Sequence, residues 1–410
     1  MSTNPTPESD SDNPIFPDEI WANIIPRLAG DTPTLATCMK VSSSMRELAG
    51  PHLYRNVHWG KGLHTKLHPL DLYSNCMLPN TDNRVLKPKS DFFKFIRTLH
   101  IRDHTAAECK GSRMETTFEI PVLRVTATND GNVPRDEARH LSIGTPPCLA
   151  VRNIAPRKLI LDGVQTAIDA LPFKEIDQRS LATLVQVFDL DCRRQGDLAM
   201  EYQLSRKVMA ESSLPKAFHQ SQIRVEDKRA IFIIRSLASN DISWLPKDLH
   251  VEDSGWLPGF CHGIVESASQ PDFPNDIVIV NYHPLVMAFL ALFLGDCGLW
   301  RSYEHNPKEL MKQELSRAWA AEYHRTTMQW TMSDDRGTGP PDKKTMAEMA
   351  KVTFKLVTLA EYVKEYDWEG EYTASETEKI LVVEAQATPP PTGDSEVCTG
   401  FQYIARKLIV

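Results

Sequence analysis

The chain has no excess of positive charge. Across 410 residues, 46 Lys and Arg face 54 Asp and Glu, a formal net charge of −8. That balance argues against a nucleic-acid binder working through general electrostatics, which needs a basic surface, and leaves room only for a local basic patch. Long apolar runs are missing too. The longest, Leu285 to Leu294 ("LVMAFLALFL"), is closed off by Pro284 and by Gly295-Asp296. Such a run covers about half of a bilayer core, so it reads as a buried helix. Residues 1–13 ("MSTNPTPESDSDN") contain no Lys, no Arg and no apolar stretch, so no secretory leader is expected there. The expected location is the cytoplasm or the nucleus. The eight cysteines form no C-x-x-C pair, which points away from a disulfide scaffold or a zinc site and toward free thiols.

Catalytic signatures are also lacking. There is no Gly-Lys-Ser/Thr phosphate loop, no G-x-G-x-x-G after a strand, no G-x-S-x-G and no H-E-x-x-H. Two H-x-x-x-H pairs occur, His64/His68 and His100/His104. The first falls in loop-like sequence. The second falls in a strand, where four residues separate side chains by about 13 Å, too far to share an ion. No metal or other cofactor is expected, and the chain reads as a non-enzyme. The run "GWLPGFCHG" (Gly255 to Gly263) is the one segment that could line a pocket. It reads as a tight loop pinned by aromatic side chains, since Cys261 beside His262 in sequence does not make a nucleophile pair.

What is present divides into four stretches: a polar tail (1–13), a helical region (14–59), a connection rich in Gly, Pro, Asn and Lys (60–90), and an α/β region (91–410). In the helical region, Ile20, Ile24 and Leu28 recur every four residues and share a face. Pro26 should kink the last turn or end the regular helix near Ile25. Asp31 or Thr32 caps a second helix with Pro33 in its first turn. Ser44 to Glu47 reads as a capping box opening a third, which Gly50-Pro51 should stop.

The α/β region carries an L-x-x-L-x-L pattern at Ile96/Leu99/Ile101, Ile120/Leu123/Val125, Ala138/Leu141/Ile143 and Pro156/Leu159/Leu161. That pattern marks the strand edge of a leucine-rich repeat, although any four strands of alternating apolar residues would give something similar. Further strands are expected at 230–236, 276–282, 379–385 and 403–410. Helices are expected at 181–190, 197–209 and 284–296, over 306–323, and after a Thr345/Glu348 capping box through Val363.

The segment Ile15 to Trp59 resembles an F-box. Phe16-Pro17 and the acidic pair Asp18-Glu19 precede the Ile20/Ile24/Leu28 helix. Leu35 leads a second short helix. Val41, Ser42, Arg46, Leu48 and Ala49 match a "V-S-x-x-x-R-x-L-A" element. The trailing Pro51, Leu53, Tyr54, Arg55 and Val57 look like the extension common in fungal members. Met45 stands where the family often has Trp or Phe. The resemblance implies a small three-helix F-box, and with the L-x-x-L-x-L pattern the expected fold is that F-box followed by an irregular or degenerate leucine-rich-repeat-like α/β domain. It also implies a substrate receptor that docks on the adaptor subunit of a cullin–RING ubiquitin ligase and holds a protein substrate with the C-terminal domain. Phe16, Pro17, Ile20, Ile24, Leu28, Leu35, Val41, Met45 and Leu48 would form the adaptor face and the small core behind it. No nucleic-acid or membrane partner is expected. The alternatives are an F-box scaffold without a ligase role, or an enzyme with a pocket around 255–263.

Overall fold

The computed structural model describes residues 18–29, 31–59, 93–102, 117–126, 151–162, 176–189, 218, 220–235, 256–270, 272–283, 286, 307–333, 351–368 and 370–371. Three short helices come first: α1 (Asp18–Ile24), α2 (Thr32–Val41) and α3 (Ser43–Leu53). Pro26 converts the end of α1 into a 3-10 turn over Ile25–Leu28, because proline has no N–H to continue the α-helical ladder. The Asp31 carboxylate accepts hydrogen bonds from the Thr34 backbone N–H (3.1 Å) and hydroxyl (2.6 Å), as an N-cap should. These bonds hold its pKa below the ordinary carboxylate range. Helix α3 departs from expectation at both ends. Its cap is Ser42, whose hydroxyl accepts from Met45 N–H (3.1 Å), and Pro51 lies inside the helix, which continues to Leu53.

The rest is α/β. Eight parallel strands pair in strict sequence order: β1 (Asn56–Trp59), β2 (Thr98–Arg102), β3 (Phe118–Thr126), β4 (Ile154–Asp162), β5 (Thr183–Asp189), β6 (Arg229–Arg235), β7 (Asp276–Val280) and β8 (Thr353–Val357). The register aligns Val57, Leu99, Leu123, Leu159, Leu184, Ala230, Ile277 and Phe354 in one row. Helix α4 (Trp256–Ala268) lies between β6 and β7 in sequence, α5 (Pro307–Ser333) between β7 and β8, and α6 (Leu359–Glu365) after β8.

Parallel strands need cover on both faces, and two apolar clusters supply it. The larger joins Leu99, Ile101, Leu123, Val125, Leu159 and Leu161 of the sheet to the N-terminal helices through Ile25, Leu35, Met39, Met45 and Ala49, and to α4 and α5 through Phe260, Ile264, Met311 and Leu315. Ile96/Leu99/Ile101 and Ile120/Leu123/Val125 all point into this cluster, and so does an unforeseen member of the same pattern, Leu181/Leu184. The smaller cluster, on the other face, gathers Val122, Ile160, Val185, Ile231, Ile233, Val278 and Val280 under Tyr362 of α6.

Several expectations are overturned. "NVHW" (56–59) is not the tail of the helical region but β1, hydrogen-bonded along β2. Residues 183–189 are a strand, not a helix. Leu181, Leu184, Val185 and Phe188 fit helical spacing, but β-branched Thr183, Val185 and Val187 favour the strand. "GWLPGFCHG" is not a loop. From Trp256 it is α4, with Pro258 in the first turn, and Leu257, Phe260, Cys261, Ile264, Val265 and Ala268 buried at helical spacing. The helix expected to reach Val363 is split into β8 and α6, and the capping box falls at Thr358 and Glu361. No strand separates β3 from β4, which pair directly; the expected repeat at Ala138–Ile143 lies outside the described residues. So do 60–92, 197–209, 287–296, 379–385 and 403–410. Among the described residues, no helix is long and apolar enough to cross a membrane.

Candidate functional site

Two surfaces stand out. The first is on the N-terminal helices. Four large hydrophobic side chains are exposed among the described residues: Ile20 (41%), Ile24 (38%), Val41 (67%) and Tyr323. Three of the four lie within one run of 22 residues, Ile20 to Val41. Scattered exposed apolar residues need no explanation. A helix that turns its Ile/Ile stripe to solvent while still packing on a core does.

The packing explains the orientation. Trp21 leans on the main cluster and Ile25 is fully buried in it, and the adjoining face of α1, about 100° round the helix and carrying Ile20 and Ile24, is left outside. The 3-10 turn tightens the winding from 3.6 to about 3 residues per turn, which breaks the Ile20/Ile24/Leu28 stripe and turns Leu28 partly inward. The nine residues expected to form an adaptor face therefore sort by depth. Ile20, Ile24 and Val41 are outside. Leu35 and Met45 are core, and Leu28 and Leu48 pack partly against it. Phe16 and Pro17 lie outside the described residues.

The second surface is the sheet face opposite α4 and α5. Residues Leu359 to Glu371 cross it as a strap. Tyr362 sits in the apolar cluster, fully buried. Tyr366 lies under the Arg229 guanidinium, 5.2 Å from ring centroid to Cζ, a cation–π distance. The strap ends on β2, β3 and β4. Lys158 Nζ contacts Glu371 Oε1 at 2.5 Å and donates to the Asp367 carbonyl at 2.6 Å. The Tyr362 hydroxyl donates to the same Glu371 oxygen at 2.7 Å. Burial, opposed by Lys158 and that hydroxyl, pushes the Glu371 carboxyl above the ordinary range. Gly370 adopts φ +82°, and a Cβ there would lie 2.8 Å from Val122 Cγ1. Only glycine suits this place.

Beside the strap's end is a polar cluster. Arg124 pairs with Asp162, both buried. His100 Nε2 is 2.7 Å from Thr126 Oγ1, and the two Nδ1 atoms of His100 and His58 are 3.2 Å apart. A bond between two Nδ1 atoms needs one of them protonated and one bare, so it fits two neutral rings. Burial, with Arg124 and His58 nearby, drives His100 down to about 3. His58 is lowered in the same way, by burial and then by Arg102 and Arg124.

The 255–263 segment offers no accessible nucleophile pair: Cys261 is fully buried and His262 is exposed. The residues that organise the sheet face, Lys158, Arg124, Asp162, Tyr362 and Glu371, were not singled out by the sequence. No family model, curated protein or solved structure matches this chain.

Proposed function

We propose that the chain is a non-catalytic substrate receptor of a cullin–RING ubiquitin ligase. The N-terminal helices dock on the adaptor subunit as an F-box, and the following domain is a degenerate leucine-rich-repeat-like array that holds the target. The observation that carries the docking half is the solvent-facing stripe of Ile20 and Ile24 on a helix whose adjoining side, through Trp21 and Ile25, is anchored in the core. Such four-spaced apolar anchors are how an amphipathic helix enters a partner's groove. The repeat-like half is supported by strands that add in strict sequence order with the L-x-x-L-x-L apolar positions inside. The intervals between aligned residues of 24, 36, 25, 46, 47 and 77 residues (Leu99, Leu123, Leu159, Leu184, Ala230, Ile277, Phe354) are why the array is called degenerate.

The test is co-precipitation of the adaptor with the full chain and with an Ile20→Asp/Ile24→Asp variant. A carboxylate carried into an apolar groove costs several kcal/mol, so capture should vanish. Both side chains are exposed in the free protein, so the variant should stay folded. Undiminished capture by the folded variant overturns the docking surface. Capture of the adaptor without the cullin would instead favour an F-box scaffold.

A further inference from the structure

The strap is an unusual cover. Of its described side chains, only Tyr362 and Glu371 are fully buried. Leu359, Tyr366 and Trp368 are partly buried, and Thr358, Glu361, Lys364 and Glu365 face solvent. The face beneath is different in character: Ile160, Val185, Ile231, Ile233, Val278 and Val280 are all under 4% exposed. A strongly apolar face is thus closed by a segment fastened at separate points: Tyr362 in the cluster, Tyr366 under Arg229 and Glu371 on Lys158. One anchor is a buried Lys–Glu pair, a contact in which desolvation offsets much of the Coulomb gain. Segments with few buried contacts and exposed backbone open at a fraction of the global free energy.

The crossing is also geometrically complete. From β8 to β2 is six strand steps, or roughly 29 Å at about 4.8 Å each. The contacts trace that distance: Tyr366 lies under Arg229 of β6, Glu371 meets Lys158 of β4, and Gly370 lies against Val122 of β3 and Thr98 of β2. The strap therefore crosses from β8 as far as β2 and touches the face with a defined code. That code is a helical turn with aromatic residues four apart (Tyr362, Tyr366), then a turn whose glycine lies against Val122 and whose carboxyl group meets Lys158.

We propose that this face is the target-binding surface and that Leu359–Glu371 is a resident stand-in for the target. The partner it fits is a peptide segment of the same chemistry: two aromatic side chains one helical turn apart, followed by an acidic residue read by Lys158. The strap excludes weak competitors and is displaced by a better-matched segment. This rests on the receptor reading above for its biological use, but its test does not involve the adaptor.

The probe is a fluorescent peptide of the sequence of residues 358–371, added to the full chain and to a full-length Tyr362→Ala variant. Loss of the strap's aromatic anchor should tighten peptide binding at least tenfold, because the competing segment is weakened. A peptide with Gln at the position of Glu371 should bind the variant at least tenfold more weakly. That preference should vanish when Lys158→Met is added. Absence of peptide binding to the folded variant overturns the proposal. A second measurement holds whether or not the variant folds. In the unaltered chain, hydrogen exchange of amides 362–371 should be at least a hundredfold faster than for Ile231 and Ile233 in β6. Equal exchange would make the strap permanent core and sink the idea. Adaptor capture can fail while both of these succeed, and the reverse, so the two readings fail separately.

Discussion

The Lys158–Glu371 pair offers the sharpest test of the physics. Lys158 and Glu371 side chains are 9% and 0% exposed and 2.5 Å apart, with the Asp367 carbonyl bonded to the ammonium and the Tyr362 hydroxyl to the carboxyl group. Replacing Lys158 with Met leaves the Glu371 carboxyl buried without its cation. Replacing Glu371 with Gln leaves a buried ammonium facing an amide and a carbonyl. Breaking one side of a buried pair costs about 3–5 kcal/mol, whereas replacing both sides by groups of similar volume is often neutral. The double variant should therefore be less destabilised than Lys158→Met alone, a coupling of about 2 kcal/mol or more, which adjacent charges can reach. Urea unfolding of the four proteins reads this as shifts in midpoint at constant slope. If the two single costs simply add, the pair does not interact as the geometry implies, and the argument for a charge-reading anchor fails with it. Glu371 also sets a direction. Its folded-state pKa is raised, so its contribution is greatest below the unfolded value near 4.3. It weakens as pH rises toward the folded value, and Glu371→Gln should flatten that part of the profile.

Other outcomes follow from the same geometry. His100, held at about 3 against about 6.5 in the unfolded chain, contributes stability that is full above 6.5. It is lost as pH falls, by at most about 1.4 kcal/mol per unit; NMR titration should show His100 neutral down to pH 5. Gly370→Ala must push on Val122 Cγ1 at 2.8 Å and hold a positive φ, so it should speed exchange of the strap amides while β6 amides stay protected. Phe260→Ala in α4 removes a ring 2% exposed that sits edge-on to Phe188 at 5.4 Å and should cost about 3–5 kcal/mol in chemical denaturation. Thr358→Ala breaks the reciprocal capping box with Glu361 and should cost about 1 kcal/mol.

Legibility followed period. Strands β6 and β7 were readable because "AIFIIR" and "DIVIV" are short, β-branched and continuously apolar, as strands buried on both faces are. Helix α5 was readable from residues spaced four apart. Two of the misread segments share one cause. L-x-x-L occurs both at the entry of these strands and along a helix, so Leu181/Leu184/Val185/Phe188 and Val352/Leu356/Leu359/Val363 read as helices. In the N-terminal helices the apolar positions were legible but their direction was not. Which side of α1 faces out depends on the 3-10 turn at Pro26 and on Ile25 reaching the shared core, both set by packing. The polar anchors of the sheet face were least legible of all. Lys158 bonds the Asp367 carbonyl across 209 positions of sequence, and no local pattern announces so distant a partner.

That distance changes how the molecule should behave under load. A row of strands paired only with their sequence neighbours is a linear stack, free to fray from either end. The strap fastens the end of the stack at β8 to β2 and β4, through Gly370 beside Thr98 and Glu371 on Lys158, and so joins the row into a closed loop. Pulled from its two termini, a stack so fastened should not peel strand by strand from β8. It should resist until the clasp gives, then lengthen in steps.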